Sequence, residues 1–243
     1  MTHSRRDFFA ASAVGVASVA TLASQSTSAH PTDTKPASMP AAKSNLTPDQ
    51  ALDLLINGNK DFLNDKPNKG PVNGKRRLEI ALGQAPIAAY VSCSDSRVSP
   101  EILFGRGLGE LFIIRNAGNT VDTVALGSIE YAVAELGVPL IVIMGHERCG
   151  AVKAAVDVVK NNATYPGSIG RMIEPIIPAV LQAKGEPGDL LDNSVRANVR
   201  RVVAYLRTAT DPLLLAPQGT GKLKVVGAYY DLDTGGVDFF DRP

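Results

Sequence analysis

The chain of 243 residues has no tryptophan, only two cysteines and only three histidines, of which His146 alone lies beyond residue 30. The cysteines, Cys93 and Cys149, form no Cys-x-x-Cys pair, which excludes a dithiol–disulfide oxidoreductase. Neither sign of charge is in excess. The formal net charge is +1, so nothing marks a nucleic-acid surface or an acidic partner. There is no internal repeat, and no glycine pattern fits a phosphate site. Gly105, Gly107 and Gly109 have the wrong spacing for a dinucleotide fingerprint and follow no strand. Gly219-Thr220-Gly221-Lys222 lacks the glycine spacing and the trailing Ser or Thr of a P-loop.

A long membrane-spanning run is also missing. The apolar stretch from Ala10 to Ala23 is rich in Ala, Ser and Gly and too short to span comfortably. It follows Ser4-Arg5-Arg6-Asp7-Phe8-Phe9, a twin-arginine pattern, and precedes Thr27-Ser28-Ala29, a small-residue cleavage site. Residues 1–29 therefore read as a twin-arginine export signal. That predicts a periplasmic or otherwise exported protein with no stable membrane anchor after cleavage. Residues 30–45, rich in Pro, Ser, Thr and Ala, read as a disordered linker. Residues 46–243 are long enough for one sizeable α/β core and read as a single domain.

Thr47-Pro48-Asp49-Gln50 reads as a helix start: an N-cap, a proline at the first position and a capping-box glutamine. Leu52, Leu55, Ile56, Asn59, Phe62 and Leu63 follow at helical spacing. A short helix over Lys75–Leu82 comes next, and Pro100–Phe104 reads as a single helical turn. Ile87–Val91, Leu111–Arg115 and Pro139–Met144 are short apolar runs ended by polar residues, the pattern of buried parallel strands. Val124–Leu136 reads as an amphipathic helix. A further helix begins at Gly150. Others are predicted over Ile169–Lys184, bent by Pro175 and Pro178, and over Asn193–Leu206. Residues 223–230 and 236–240 read as a terminal strand pair joined by Asp233-Thr234-Gly235. The fold class is α/β, with a mostly parallel central sheet flanked by helices.

Two polar clusters then stand just past strand ends, where open α/β sheets bind ligands. They are Cys93-Ser94-Asp95-Ser96-Arg97 and His146-Glu147-Arg148-Cys149. Two thiols and one imidazole are donors that zinc prefers, and three protein ligands leave a fourth tetrahedral position open, as in catalytic zinc sites. Asp95 and Arg97 can face the same pocket as a charge-assisted pair. The helix beginning at Gly150 points its positive end near the metal and favours the Cys149 thiolate.

The chain resembles the β-class carbonic anhydrases from about Leu46 to about Phe240. The resemblance is carried by Cys93-Ser94-Asp95-Ser96-Arg97, Gly109-Glu110-Leu111-Phe112, Arg115-Asn116-Ala117-Gly118-Asn119, Ser128-Ile129-Glu130-Tyr131 and Gly145-His146-Glu147-Arg148-Cys149-Gly150. It implies one zinc per chain on Cys93, His146 and Cys149. It also implies reversible hydration of carbon dioxide to bicarbonate and a proton, by attack of zinc-bound hydroxide oriented by the Asp95–Arg97 pair. If that pair breaks, Asp95 becomes an alternative fourth ligand. Gln84, Phe112, Ala117 and Tyr131 match substrate-pocket positions of plant-like members, where part of the pocket comes from the adjacent subunit. A homodimer or higher even oligomer is implied, with the N-terminal helices packing on the neighbouring protomer.

Two departures bear on regulation. Bicarbonate-inhibited members carry Trp three residues before the first zinc cysteine; here Tyr90 stands there, which predicts the open, plant-like subtype. Plant-like members place a His one helical turn after Tyr131; here it is Glu135, so proton export falls to Tyr131, Glu135 or external buffer. Hydrolysis of carbonyl sulfide or carbon disulfide at the same site is a second reading. A silent or structural zinc relative is a third, disfavoured by the intact Asp95–Arg97 pair.

Overall fold

The structure, a computed structural model, describes residues 43–66, 70–208 and 212–243. The export signal and all but the last three residues of the expected linker lie outside the described residues, as do residues 67–69 of the loop after the first helix.

The first helix, α1 (Pro48–Leu63), begins at a complete capping box: the Gln50 amide donates to Thr47 Oγ1 at 3.2 Å, and the Thr47 amide donates to Gln50 Oε1 at 2.9 Å. A short helix, α2 (Gly74–Ile80), follows, capped by Asn73. Five strands form one sheet: β1 (Ala88–Cys93), β2 (Leu111–Asn116), β3 (Leu140–His146), β4 (Lys224–Tyr230) and β5 (Val237–Asp241). Their order is β2-β1-β3-β4-β5. The first four are parallel and β5 is antiparallel to β4.

β1 and β3 are buried along their whole length. That is why they read as unbroken apolar runs rather than as alternating ones. Alternate residues point to opposite faces. Tyr90, Val142 and Met144 pack on one face with Leu52 and Leu55 of α1 and with Leu103 and Phe104. Here α1 belongs to its own chain's core. Val91, Ile141 and Ile143 pack on the other face. There they meet Ile129 of α4 (Thr123–Ala134) and Val199 and Val203 of α8 (Leu190–Thr208). α8 comes very close to the sheet: a Cβ on Gly145 would lie 2.7 Å from Val195 Cγ1 and 2.9 Å from Val199 Cγ2.

A third apolar cluster sits beyond the carboxyl ends of the strands. It joins Cys93 and Cys149 to Val152 and Ala155 of α5 (Gly150–Asn161) and to Ile173, Ile176 and Val180. The helix expected over 169–184 is three pieces: α6 (Ser168–Ile173), a 3₁₀ turn at Glu174–Ile176 and α7 (Ile177–Ala183). Pro175 and Pro178 each lack an amide donor, so the chain breaks its helical ladder instead of bending it. A further helix, α9 (Pro212–Gly219), was not expected; Pro217 inside it masks the helical pattern. α3 (Pro100–Leu103) is the single turn read from the sequence.

Candidate metal centre

Strand order places the centre. β1 lies beside β3, with Ser92 opposite Met144. Yet the chain leaves β1 toward β2 on one side and leaves β3 toward β4 on the other. The two exit loops diverge and open a crevice at this switch point. Both ligand clusters begin one residue earlier than expected, within the strands: Cys93 is the last residue of β1 and His146 the last of β3, while Cys149 caps α5.

Cys93 Sγ and Cys149 Sγ are 3.9 Å apart. Two sulfurs on one tetrahedral zinc, each bonded at about 2.3 Å, would be about 3.8 Å apart. One ligand atom from each of Cys93, His146 and Cys149 lies within 4.8 Å of the others, and all three residues are buried. His146 Nδ1 is 2.9 Å from the Glu147 carbonyl, to which it donates, leaving Nε2 as the basic nitrogen. Nε2 is buried without a hydrogen-bond partner, an uncompensated atom that a metal would satisfy. The donor set and its spacing fit zinc.

The two sulfurs are electrostatically unequal. The Cys149 thiol, Gly118 amide and His146 ring hold the Cys93 thiol below its ordinary pKa against burial. The Cys93 sulfur and burial push Cys149 up, against a smaller pull from the Val152 and Ala151 amides at the start of α5.

Asp95 stands beside this group, its Oδ2 3.9 Å from His146 Nε2. Arg97 grips it with both ends of its fork: Nε to Oδ1 at 2.9 Å and Nη2 to Oδ2 at 2.7 Å. The Arg97 side-chain hydrogen bonds hold the Asp95 carboxyl well below the usual carboxylate range. Arg115, on β2, braces the same loop by donating Nε to the Cys93 carbonyl at 2.9 Å and Nη2 to the Asp95 carbonyl at 2.6 Å.

The second ligand loop is clamped separately. Arg148 adopts a left-handed backbone, φ 52°, which turns the chain between His146 and Cys149. Its guanidinium pairs with both oxygens of Asp233 at 2.9 and 2.6 Å and with Glu147 Oε1 at 3.0 Å. Glu147 Oε2 accepts the Leu232 amide at 3.1 Å, so the loop is pinned to the β4–β5 hairpin.

The expected pocket residues divide. Ala117 packs in the cluster with both cysteines. Phe112 pairs with Ala89, four residues before Cys93, a separation of about 13 Å along the strand. The Tyr131 ring lies against it, 6.1 Å between centroids, and is half exposed. Gln84 precedes β1 and is exposed. Within one chain these three residues occupy the amino-terminal edge of the sheet, away from the cysteines. Glu135, at the end of α4, is exposed. Arg115 had been seen only as part of a motif and Asn198 not at all. Their partners are backbone atoms 22 and 80 residues away, which no spacing rule reaches.

The carbonic anhydrase family model matches residues 88–237. The chain is 39% identical over 192 residues to carbonic anhydrase 2 of Mycobacterium tuberculosis, covering 79% of this chain and 92% of the relative. The chain belongs to the β-carbonic anhydrase family. It is an enzyme of that family, a family of zinc lyases. It is 36% identical to a carbonic anhydrase of Mycolicibacterium smegmatis over 80% of this chain and 94% of the relative. Among solved structures, a Coccomyxa β-carbonic anhydrase in complex with acetazolamide aligns with a TM-score of 0.58 at 31% identity, over 67% of this chain and 75% of that one. A β-carbonic anhydrase of Sordaria macrospora, described as tetrameric, aligns with a TM-score of 0.59 at 26% identity, over 69% and 90%.

Proposed function

We propose that this protein catalyses the reversible hydration of carbon dioxide to bicarbonate and a proton with one zinc held by Cys93, His146 and Cys149. The observation that carries the reading is the buried Cys–His–Cys group with its unpartnered Nε2, set 3.9 Å from an Asp95 carboxylate. Zinc there supplies Lewis acidity and an acidified water. Asp95, kept ionised by Arg97, accepts a hydrogen bond from the attacking oxygen and aims its lone pair at carbon dioxide. If Arg97 released it, Asp95, already 3.9 Å from His146 Nε2, would be free to serve as a further ligand beside Cys93, His146 and Cys149. Arg97 is thus the gate of an open, plant-like arrangement. Tyr90 supports the open subtype: it is fully buried and its hydroxyl donates to Met144 Sδ, so the position offers no inhibitory bicarbonate site.

Gln84, Phe112 and Tyr131 reach a site only from an adjacent subunit, so the working unit is an even oligomer, with a dimer as its building block. Among the described residues the one histidine is a ligand, which leaves proton export to Tyr131, Glu135 and external buffer. Two thiolates donate more charge than imidazoles do, so activity rises toward alkaline pH. The Ser4–Phe9 motif supports export by the twin-arginine route, testable by cell fractionation of an R5K/R6K variant.

The deciding experiment is stopped-flow hydration of carbon dioxide across pH on metal-analysed protein. Alkaline-favoured turnover with about one zinc per chain, falling about 100-fold or more in Asp95→Ala, is expected. Zinc without turnover at any pH would reject the reading.

A further inference from the structure

The two ligand sulfurs receive their backbone support differently. Cys149 caps α5, and the first amides of its own helix lie beside its sulfur. Cys93 ends a strand and has no helix of its own. Beside the Asp95 amide of its own loop, it is reached from the β2 exit loop, where Gly118 N–H donates to Cys93 Sγ at 3.4 Å. Gly118 is a poor anchor by itself. It lies at φ +85°, a backbone region open to glycine, and it has no side chain to pack. A side chain there would be strained by that φ, and its Cβ would crowd Ile176 Cδ1 at 2.6 Å and Ala151 Cβ at 3.1 Å.

One side chain fixes this residue. Asn198 Nδ2, on α8, donates to the Gly118 carbonyl at 2.9 Å in a fully enclosed contact. Asn198 is only 2% exposed. It follows Val195 by one helical turn and precedes Val199 by one residue, the pair that packs on Gly145 of β3. The helix that holds Asn198 is therefore seated on the strand that ends in His146.

We propose that Asn198 is a positioning residue of the metal centre: by holding the Gly118 carbonyl, it keeps the Gly118 amide aimed at the Cys93 sulfur. An N–H donor there offsets the negative charge of a buried thiolate and orients its remaining lone pairs toward the cation. The inference rests on the zinc reading of the site. It adds a residue 105 positions from Cys93 that touches neither metal nor substrate.

The test uses the full chain as wild type, Asn198→Asp, Asn198→Leu and Val202→Ala. Asn198→Asp is isosteric and replaces the donor with an acceptor; Asn198→Leu removes hydrogen bonding. Val202 lines the small cavity that Asn198 also lines and offers no hydrogen-bonding group, so Val202→Ala reports packing alone. Zinc dissociation constants are read by competition with a chromophoric chelator, and the sulfur-to-cobalt charge-transfer band is read on cobalt-substituted protein. Both Asn198 variants are expected to bind zinc about 10- to 100-fold more weakly and to shift the band, while Val202→Ala lowers only the melting temperature. Folded Asn198 variants that bind zinc within about twofold of wild type, with an unmoved band, would overturn the proposal and leave Asn198 a core-filling residue. Failure of both to fold would overturn it in the same way. If the wild type itself takes up no zinc, it is the metal centre that fails, and the role of Asn198 falls with it.

Discussion

The two ends of the sheet are built on different principles. At the carboxyl end, Cys93, His146, Cys149, Asp95 and Arg97 converge within one chain. Each ligand loop there has its own brace, Arg115 for the first and the Arg148–Asp233 clamp for the second. At the amino end, Phe112 packs on the Val91–Ile129 side of the core and against the Tyr131 ring, with Tyr131 half exposed and Gln84 exposed. On the proposed reading, one end is complete within a chain and the other is completed by a second subunit. Metal loading would then be a property of the folded chain, and substrate selection a property of the assembly.

The largest effect would come from breaking the complete end. His146→Ala removes the one nitrogen ligand and is expected to abolish zinc by elemental analysis and to lower hydration about 1000-fold or more. The oligomer, measured by light scattering, should persist, because the amino edge is untouched. Acid should mimic this variant reversibly. Thiolates and imidazole ligate only when deprotonated, so zinc affinity falls as pH falls and returns as pH rises, which a chelator titration across pH would track. Arg115→Met strips both carbonyls of the Asp95 loop of their donor. Zinc affinity or turnover should drop about 10- to 100-fold without loss of fold by circular dichroism.

A mixing experiment sharpens the comparison. Asp95→Ala chains and Gln84→Leu chains should each be weak alone. In a mixed dimer, one site would combine an intact Asp95 with the intact Gln84 of the other chain, and activity should reappear on mixing. No recovery, with exchange verified by mass, would place Gln84 in its own chain's site. The smallest effect is expected far from the metal. Thr47→Ala breaks the capping box of α1 and should cost about 1 kcal/mol in urea unfolding while leaving zinc affinity unchanged.

Legibility followed the same division. β1 and β3 could be read because strands buried on both faces leave unbroken apolar runs, and the ligands because Cys and His are scarce in this chain. Asp95 and Arg97 stand two residues apart, so their pairing is local. The helical stretch over 169–184 was legible, but the form the prolines give it was not: a 3₁₀ turn at Glu174–Ile176 rather than a smooth bend. Arg115 and Asn198 were out of reach because they act on carbonyl groups, which every residue has and none advertises. Gln84, Phe112 and Tyr131 came from resemblance alone; no single-chain pattern ties them to the cysteines.

The close seating of α8 on the sheet has a consequence for how such a chain can vary in length. A helix turns about 100° per residue. Deleting or inserting one residue between Leu190 and Val195 would rotate every later side chain off its station. Val199 would leave Gly145, and Asn198 would face away from Gly118. Such a change would lie nearly a hundred residues from Cys93 and still reach it. Length changes should therefore collect in the connecting segments, such as the exposed turn from Lys184 to Asp189, while the count of residues along α8 stays fixed.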